Sequence, residues 1–109
     1  MIREELRTSI SNLVREELEM ANKKFPLFSS DHEGWAVIEE EIEECEEALQ
    51  KVFAHSAKIW SSIRKNDDAS GEAMLGRNAL IIVAAEAIQA AAMMEKFRVS
   101  ATHRFNEVK

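Results

Sequence analysis

A chain of 109 residues has room for one domain, taken as residues 1–109, and too little for two. Its 3 Gly and 1 Pro, set against abundant Ala, Glu, Leu, Ile and Met, suit helices and lack the punctuation that many short strands need. A net charge of -6, from 20 acidic and 14 basic side chains, argues against a nucleic-acid polymer or an anionic membrane as partner. It leaves room for a small phosphate ligand, because a bound cation can reverse the local charge.

The first helix is expected from about Ile2 to Asn22. Ile2, Leu6, Ile10, Leu13 and Val14 recur at spacings of three and four and form one apolar stripe, with Arg3, Glu4, Arg7, Arg15, Glu16 and Glu19 on the outer face. Lys23 and Lys24 suit its C-terminus, and Phe25 before Pro26 leaves the helical region. The apolar loop that follows, with Phe25, Leu27 and Phe28, either caps the end of a bundle or walls a ligand pocket. Ser30 with Glu33 three residues on has the form of a capping box and opens a second helix, in one piece to about Lys65 or in two pieces broken near His55. Its apolar residues keep a near-heptad spacing in which Ser56 is the one polar interruption.

Asn66 to Gly71 is a polar turn, and a third helix is expected from about Glu72 to Val99. From Ala79 to Met94 this helix is apolar on nearly every face, which implies burial on all sides and hence neighbours from another subunit. The tail, Ser100 to Lys109, reads as a short fourth helix or a frayed end anchored by Phe105. The expected fold is therefore all-α, an antiparallel bundle of three long helices plus a short C-terminal segment, assembled into an oligomer. The apolar run of 16 residues contains Glu86 and Gln89 and falls short of the roughly 20 that a membrane span needs. Arg3, Glu4 and Glu5 break any signal-peptide pattern, and a single cysteine, Cys45, fits a reducing cytoplasm.

Two groups of carboxylates stand out. In the second helix, Glu39 to Glu47 reads mostly as a solvated acidic face. At about 100° per residue, Glu40, Glu44 and Glu47 lie almost opposite Ile42, whereas Glu41 falls between Val37, Ala48 and Cys45 at the edge of the apolar arc. Glu41 and Glu44, and Glu40 and Glu44, share sides of the helix, where like charges repel unless a divalent cation joins them. In the third helix Glu86 and Gln89 are the strongly polar residues of the apolar run, three apart on one face. A buried carboxylate needs a partner, a proton or a metal. Either an ion pair, with Arg77 or Lys96, or a metal site answers that need. All-oxygen ligation favours Mg²⁺ or Mn²⁺ over zinc. His32 and His55 lack zinc-type spacing, Cys45 lies on the core stripe as an inert thiol, and no glycine-rich phosphate loop or Ser-His-Asp pattern is present.

The stretch His32-Glu33-Gly34-Trp35-Ala36-Val37-Ile38, followed by Glu40-Glu41-Ile42-Glu43-Glu44, resembles the first motif region of MazG-like proteins of the all-α NTP pyrophosphohydrolase superfamily, particularly small phage and prophage members. Glu40, Glu41 and Glu44 match that family's E-E-x-x-E motif, and Glu86-Ala87-Ile88-Gln89 corresponds to its E-x-x-D motif. The resemblance covers about Asn22 to Phe97. It implies Mg²⁺-dependent hydrolysis of a nucleoside triphosphate to monophosphate and pyrophosphate by a homodimer or homotetramer. It makes Glu40, Glu41 and Glu44 the catalytic glutamates and Glu41, Glu44, Glu86 and Gln89 the metal ligands. His32, Trp35 and Lys96 are the expected substrate-binding residues. Gln89 departs from the motif: an amide oxygen ligates Mg²⁺ without negative charge, so affinity should fall. A non-catalytic helical oligomer of the same fold, acting as a binding or regulatory module, is the alternative.

Overall fold

The computed structural model describes residues 1–108, which form three helices and no strand: α1 (Glu4–Lys24), α2 (Asp31–Arg64) and α3 (Ser70–Val108). Charge placement and caps account for most of the ends. Glu4 and Glu5 open α1 and Lys23 and Lys24 close it, each pair complementing the helix dipole. Ser30 caps α2, its hydroxyl accepting the Glu33 N–H at 3.0 Å. The Glu33 carboxylate reaches back one residue further than a capping box requires, accepting the N–H and hydroxyl of Ser29. At the other end Asn66 adopts a left-handed φ of 58°, tolerable for Asn. The chain there closes α2 with Asn66 N–H to Ile63 O at 3.1 Å and Asp67 N–H to Ser62 O at 2.9 Å, a Schellman arrangement. Asp68 then accepts the N–H and hydroxyl of Ser70 at the start of α3, which holds its carboxyl below the usual carboxylate range.

α2 runs unbroken past His55, and α2 and α3 form a long antiparallel hairpin tied by His55 to Glu72 (2.9 Å) near the turn and by Asp31 to Arg104 at the far end. α1 runs parallel to α3, as its ties show by advancing together: Glu17 meets Gln89 and Phe25 meets Lys96. Among the described residues α1 packs along α3 and its backbone does not approach α2. α3 is thus the central helix of an elongated molecule of 67 × 29 × 25 Å. The tail does not form a separate fourth helix. α3 continues through it to Val108, and Lys109 lies outside the described residues.

The reason for that continuation is a set of polar ties at four-residue spacing. Lys96 Nζ donates to Phe25 O at 2.6 Å, Ser100 Oγ accepts the Phe28 N–H at 3.0 Å, and Arg104 donates to Phe28 O at 2.8 Å as well as to Asp31. One face of α3 therefore holds the loop 25–30 in place, with the Phe28 ring buried beneath it. The Ser100→Ala variant leaves a buried N–H without a partner and is expected to cost about 1–3 kcal/mol. Urea unfolding and faster amide exchange at Phe28 are the measurements that check it.

The apolar middle of α3 is not enclosed by its own chain. Leu80, Ile81 and Ile82 remain half or more exposed, because α1 and α2 cover only two sides of α3. No helix among the described residues is long and apolar enough to cross a membrane.

Candidate metal centre

Three carboxylates converge midway along the hairpin. Glu41 and Glu44 come from successive turns of α2 and Glu86 from α3, and one oxygen of each lies within 4.8 Å of the others. The antiparallel register of the hairpin sets this meeting, with Glu41 at the margin of the apolar arc where the helical wheel places it. Two of the oxygens, Glu41 Oε2 and Glu86 Oε2, are shut off from solvent and have no hydrogen-bond partner among the described residues. Among the described residues of this chain no cation pairs with Glu86: Lys96 donates to the Phe25 carbonyl and Arg77 to Asn78 Oδ1.

Electrostatics follows from this crowding. Burial raises the Glu41 carboxyl above its ordinary value, and the charges of Glu44, Glu86, Glu40 and Glu17 raise it further. Glu44 is raised by the same desolvation and by Glu86, whose carboxylate it faces at hydrogen-bonding range. Two carboxylates in such contact must share a proton or a cation. Cys45 adjoins the cluster, where burial and then the charges of Glu86, Glu41 and Glu44 push its thiol up, so it stays protonated and unreactive. Three hard oxygen donors of this kind, two of them orphaned, fit Mg²⁺ or Mn²⁺.

A cleft of about 450 Å³ opens beside Glu41 between α1 and α2 and is closed at one end by the loop 25–30. Phe25, Leu27, Phe28, Val37 and Met93 make its apolar wall, and Glu17, Gln89 and Lys96 reach it from α1 and α3. The loop thus does both things open to it, sealing the bundle with Phe28 and walling a pocket with Phe25 and Leu27.

The remaining candidate residues divide. Gln89 lines the cleft beside Glu41, and its amide donates to Glu17 Oε1 at 3.4 Å. Glu40 is exposed and acts on Glu41 and Glu44 through its charge. Lys96 lines the cleft, but it is only 4% exposed and sits 4.9 Å over the Phe28 ring as a tie to the loop. Desolvation lowers its pKa, partly offset by Glu33. His32 and Trp35 do not join the cleft. They line a separate, shallow depression with Asp31 and Phe97.

Glu17 was not among the residues that the sequence singled out. Its signal was present, since it takes the position after Leu13 and Val14 on the stripe of α1, as Glu41 does on α2. Comparison with protein-family models, curated proteins and solved structures returns no match for this chain.

Proposed function

We propose that the chain is a MazG-like nucleotide pyrophosphohydrolase of the cytoplasm, working as a homodimer or homotetramer on a nucleoside triphosphate with Mg²⁺, or Mn²⁺ in its place. The observation that carries this reading is the pair of buried, partnerless oxygens of Glu41 and Glu86 with Glu44 beside them. Glu41, Glu44 and Glu86 would hold the cation. A bound Mg²⁺ offsets triphosphate charge and makes a coordinated water a better nucleophile. Glu40, exposed one turn from Glu44 and outside the three-carboxylate group, would be free to take a proton at the edge of the site. The apolar wall of Phe25, Leu27 and Phe28 excludes water from one side of the cleft and offers a face to a base or sugar. The uncovered apolar residues of α3 support a homo-oligomer.

One observation favours the second reading, a helical oligomer that binds or regulates without catalysis. Gln89 replaces the motif aspartate and its amide is turned to Glu17, while Lys96 is engaged with the loop. Nucleoside triphosphates screened with Mg²⁺ and then Mn²⁺ decide between them. The hydrolase releases pyrophosphate in a metal-dependent way, and Glu86→Gln abolishes release with helicity unchanged. A folded wild-type protein that neither binds metal by calorimetry nor releases pyrophosphate leaves the binding module.

A further inference from the structure

The cleft beside Glu41 changes character along its length. It leaves the carboxylate cluster and follows all three helices toward the loop 25–30. On α3, Gln89 stands about 4.5 Å beyond Glu86 along the axis, Met93 about 10.5 Å and Lys96 about 15 Å. On α2, Val37 lies about 6 Å beyond Glu41. The first level past the cluster is therefore polar, where Glu17 of α1 meets Gln89. The next is apolar, with Ala21, Val37 and Met93, and the loop closes the end.

The polar level has hydrogen-bonding capacity to spare. Gln89 Nε2 donates to Glu17 Oε1 at 3.4 Å, and among the described residues neither side chain makes another hydrogen bond. That contact is longer than a firm N–H···O bond of about 2.7–3.2 Å. A carboxylate has two acceptor oxygens, so Glu17 can take at least two further donors. Its charge also limits what can lie there. Glu17 already bears on Glu41 by repulsion, and a phosphate at this level would meet it charge to charge. What suits the level is an uncharged group carrying two hydrogen-bond donors.

We infer that Glu17, with Gln89, reads the sugar of the nucleotide, so that the cleft selects a ribose over a 2′-deoxyribose. On the nucleotide reading proposed above, on which this assignment rests, the α-phosphate lies at the cation of Glu41, Glu44 and Glu86. The sugar is then the next group along the substrate and reaches the level of Glu17. The base lies beyond it, against Val37, Met93 and Phe25. The 2′- and 3′-hydroxyls of a ribose sit on neighbouring carbons and can donate one to each oxygen of Glu17. An acidic residue pairs with the ribose 2′-hydroxyl in the same way in dinucleotide-binding folds. Gln89 turns its amide from Glu17 to a hydroxyl oxygen. A 2′-deoxyribose offers a single donor and leaves one Glu17 oxygen unpaired beneath the ligand. A hydrogen bond to a charged group corresponds to about ten- to hundredfold in affinity.

The full-length protein is tested with Mg²⁺ on ATP, GTP, CTP and UTP and on their 2′-deoxy counterparts. Pyrophosphate release gives kcat/KM and calorimetry gives Kd. Wild type is expected to favour the ribonucleotide at least tenfold, and Glu17→Ala to bring the ratio to within about twofold of one by weakening the ribonucleotide. Alanine keeps α1 helical and removes a charge that crowds Glu41, so the variant folds. Without nucleotide it is expected to bind Mg²⁺ as tightly as wild type. Equal constants for the two sugars in wild type, or a preference that survives Glu17→Ala, overturn the inference and leave the hydrolase standing. A variant that loses Mg²⁺ affinity without nucleotide makes Glu17 a metal ligand and overturns it as well. Ribonucleotides that bind with the preference but release no pyrophosphate remove the hydrolase and uphold the sugar reader. Nucleotides that neither bind nor react overturn both.

Discussion

Glu41→Gln is expected to stabilise the protein in EDTA at pH 7.5, by on the order of 1 kcal/mol, and to destabilise it relative to wild type once Mg²⁺ is added. The first half follows from the crowding of Glu41. Its carboxyl is raised by burial and by Glu44 and Glu86, so the folded protein binds the proton more readily than the unfolded chain. That contribution favours the fold at low pH and is lost as pH rises through the raised pKa. A neutral amide removes the repulsion. The advantage of Glu41→Gln should therefore be greatest near neutrality and shrink on acidification toward the ordinary value of 4.5, where wild type protonates its own carboxyl. The second half follows from linkage: a cation at a hundred times its Kd stabilises the native state by about 2.7 kcal/mol, which the variant forgoes. Paired thermal melts with EDTA and with Mg²⁺ give the measurement. A rank order that does not invert on adding metal would remove the metal from the proposed function.

Two glycines on the same helix–helix contact should respond to Ala in opposite directions. At Gly34 an added Cβ would come within 2.6 Å of Phe97 Cδ2 and 2.9 Å of Phe28 Cδ2, where the α2 backbone lies against two rings. Phe28 is buried and held through its own N–H and C=O by Ser100 and Arg104, so it cannot move away without loosening the loop. Overpacking of this kind costs about 1–3 kcal/mol, against the roughly 1 kcal/mol that Ala gains over Gly within a helix. Gly34→Ala is expected to destabilise, and because Phe28 walls the cleft, to weaken ligand binding there. At Gly76 the added Cβ meets His55 Cβ at 3.5 Å, an ordinary contact. Gly76→Ala is expected to stabilise by up to about 1 kcal/mol. Urea denaturation of the two variants beside wild type checks both signs.

These sites show how far the sequence could be read. Helix starts were legible where local chemistry decides them, as at Ser30 with Glu33, and so was the turn after Ile63. Glu41 and Glu86 were legible because a carboxylate on an apolar arc conflicts with its surroundings, and the hairpin register brings that same pair together. The ties at Lys96, Ser100 and Arg104 were not. Polar residues four apart near a chain end look solvated until the loop that they hold is placed against them, more than seventy residues away in sequence. His32 and Trp35 failed to reach the cleft for a related reason. Motif proximity along α2 does not say which side of the helix the third element will occupy.

The packing of α1 on α3 alone sets a constraint on how the molecule is made. Between the end of α1 at Lys24 and the start of α3 at Ser70 lie 45 residues, all of them α2 and its two flanking loops. During synthesis α1 emerges first, with Leu6, Ile10 and Leu13 uncovered, and α2 offers it no backbone contact. Only when α3 has left the ribosome can α1 dock, and the cleft between α1 and α2 does not exist before then. The nascent chain must therefore carry an unpaired amphipathic helix until α3 has been made, a stage at which a holdase chaperone or an already folded copy would have the most to bind.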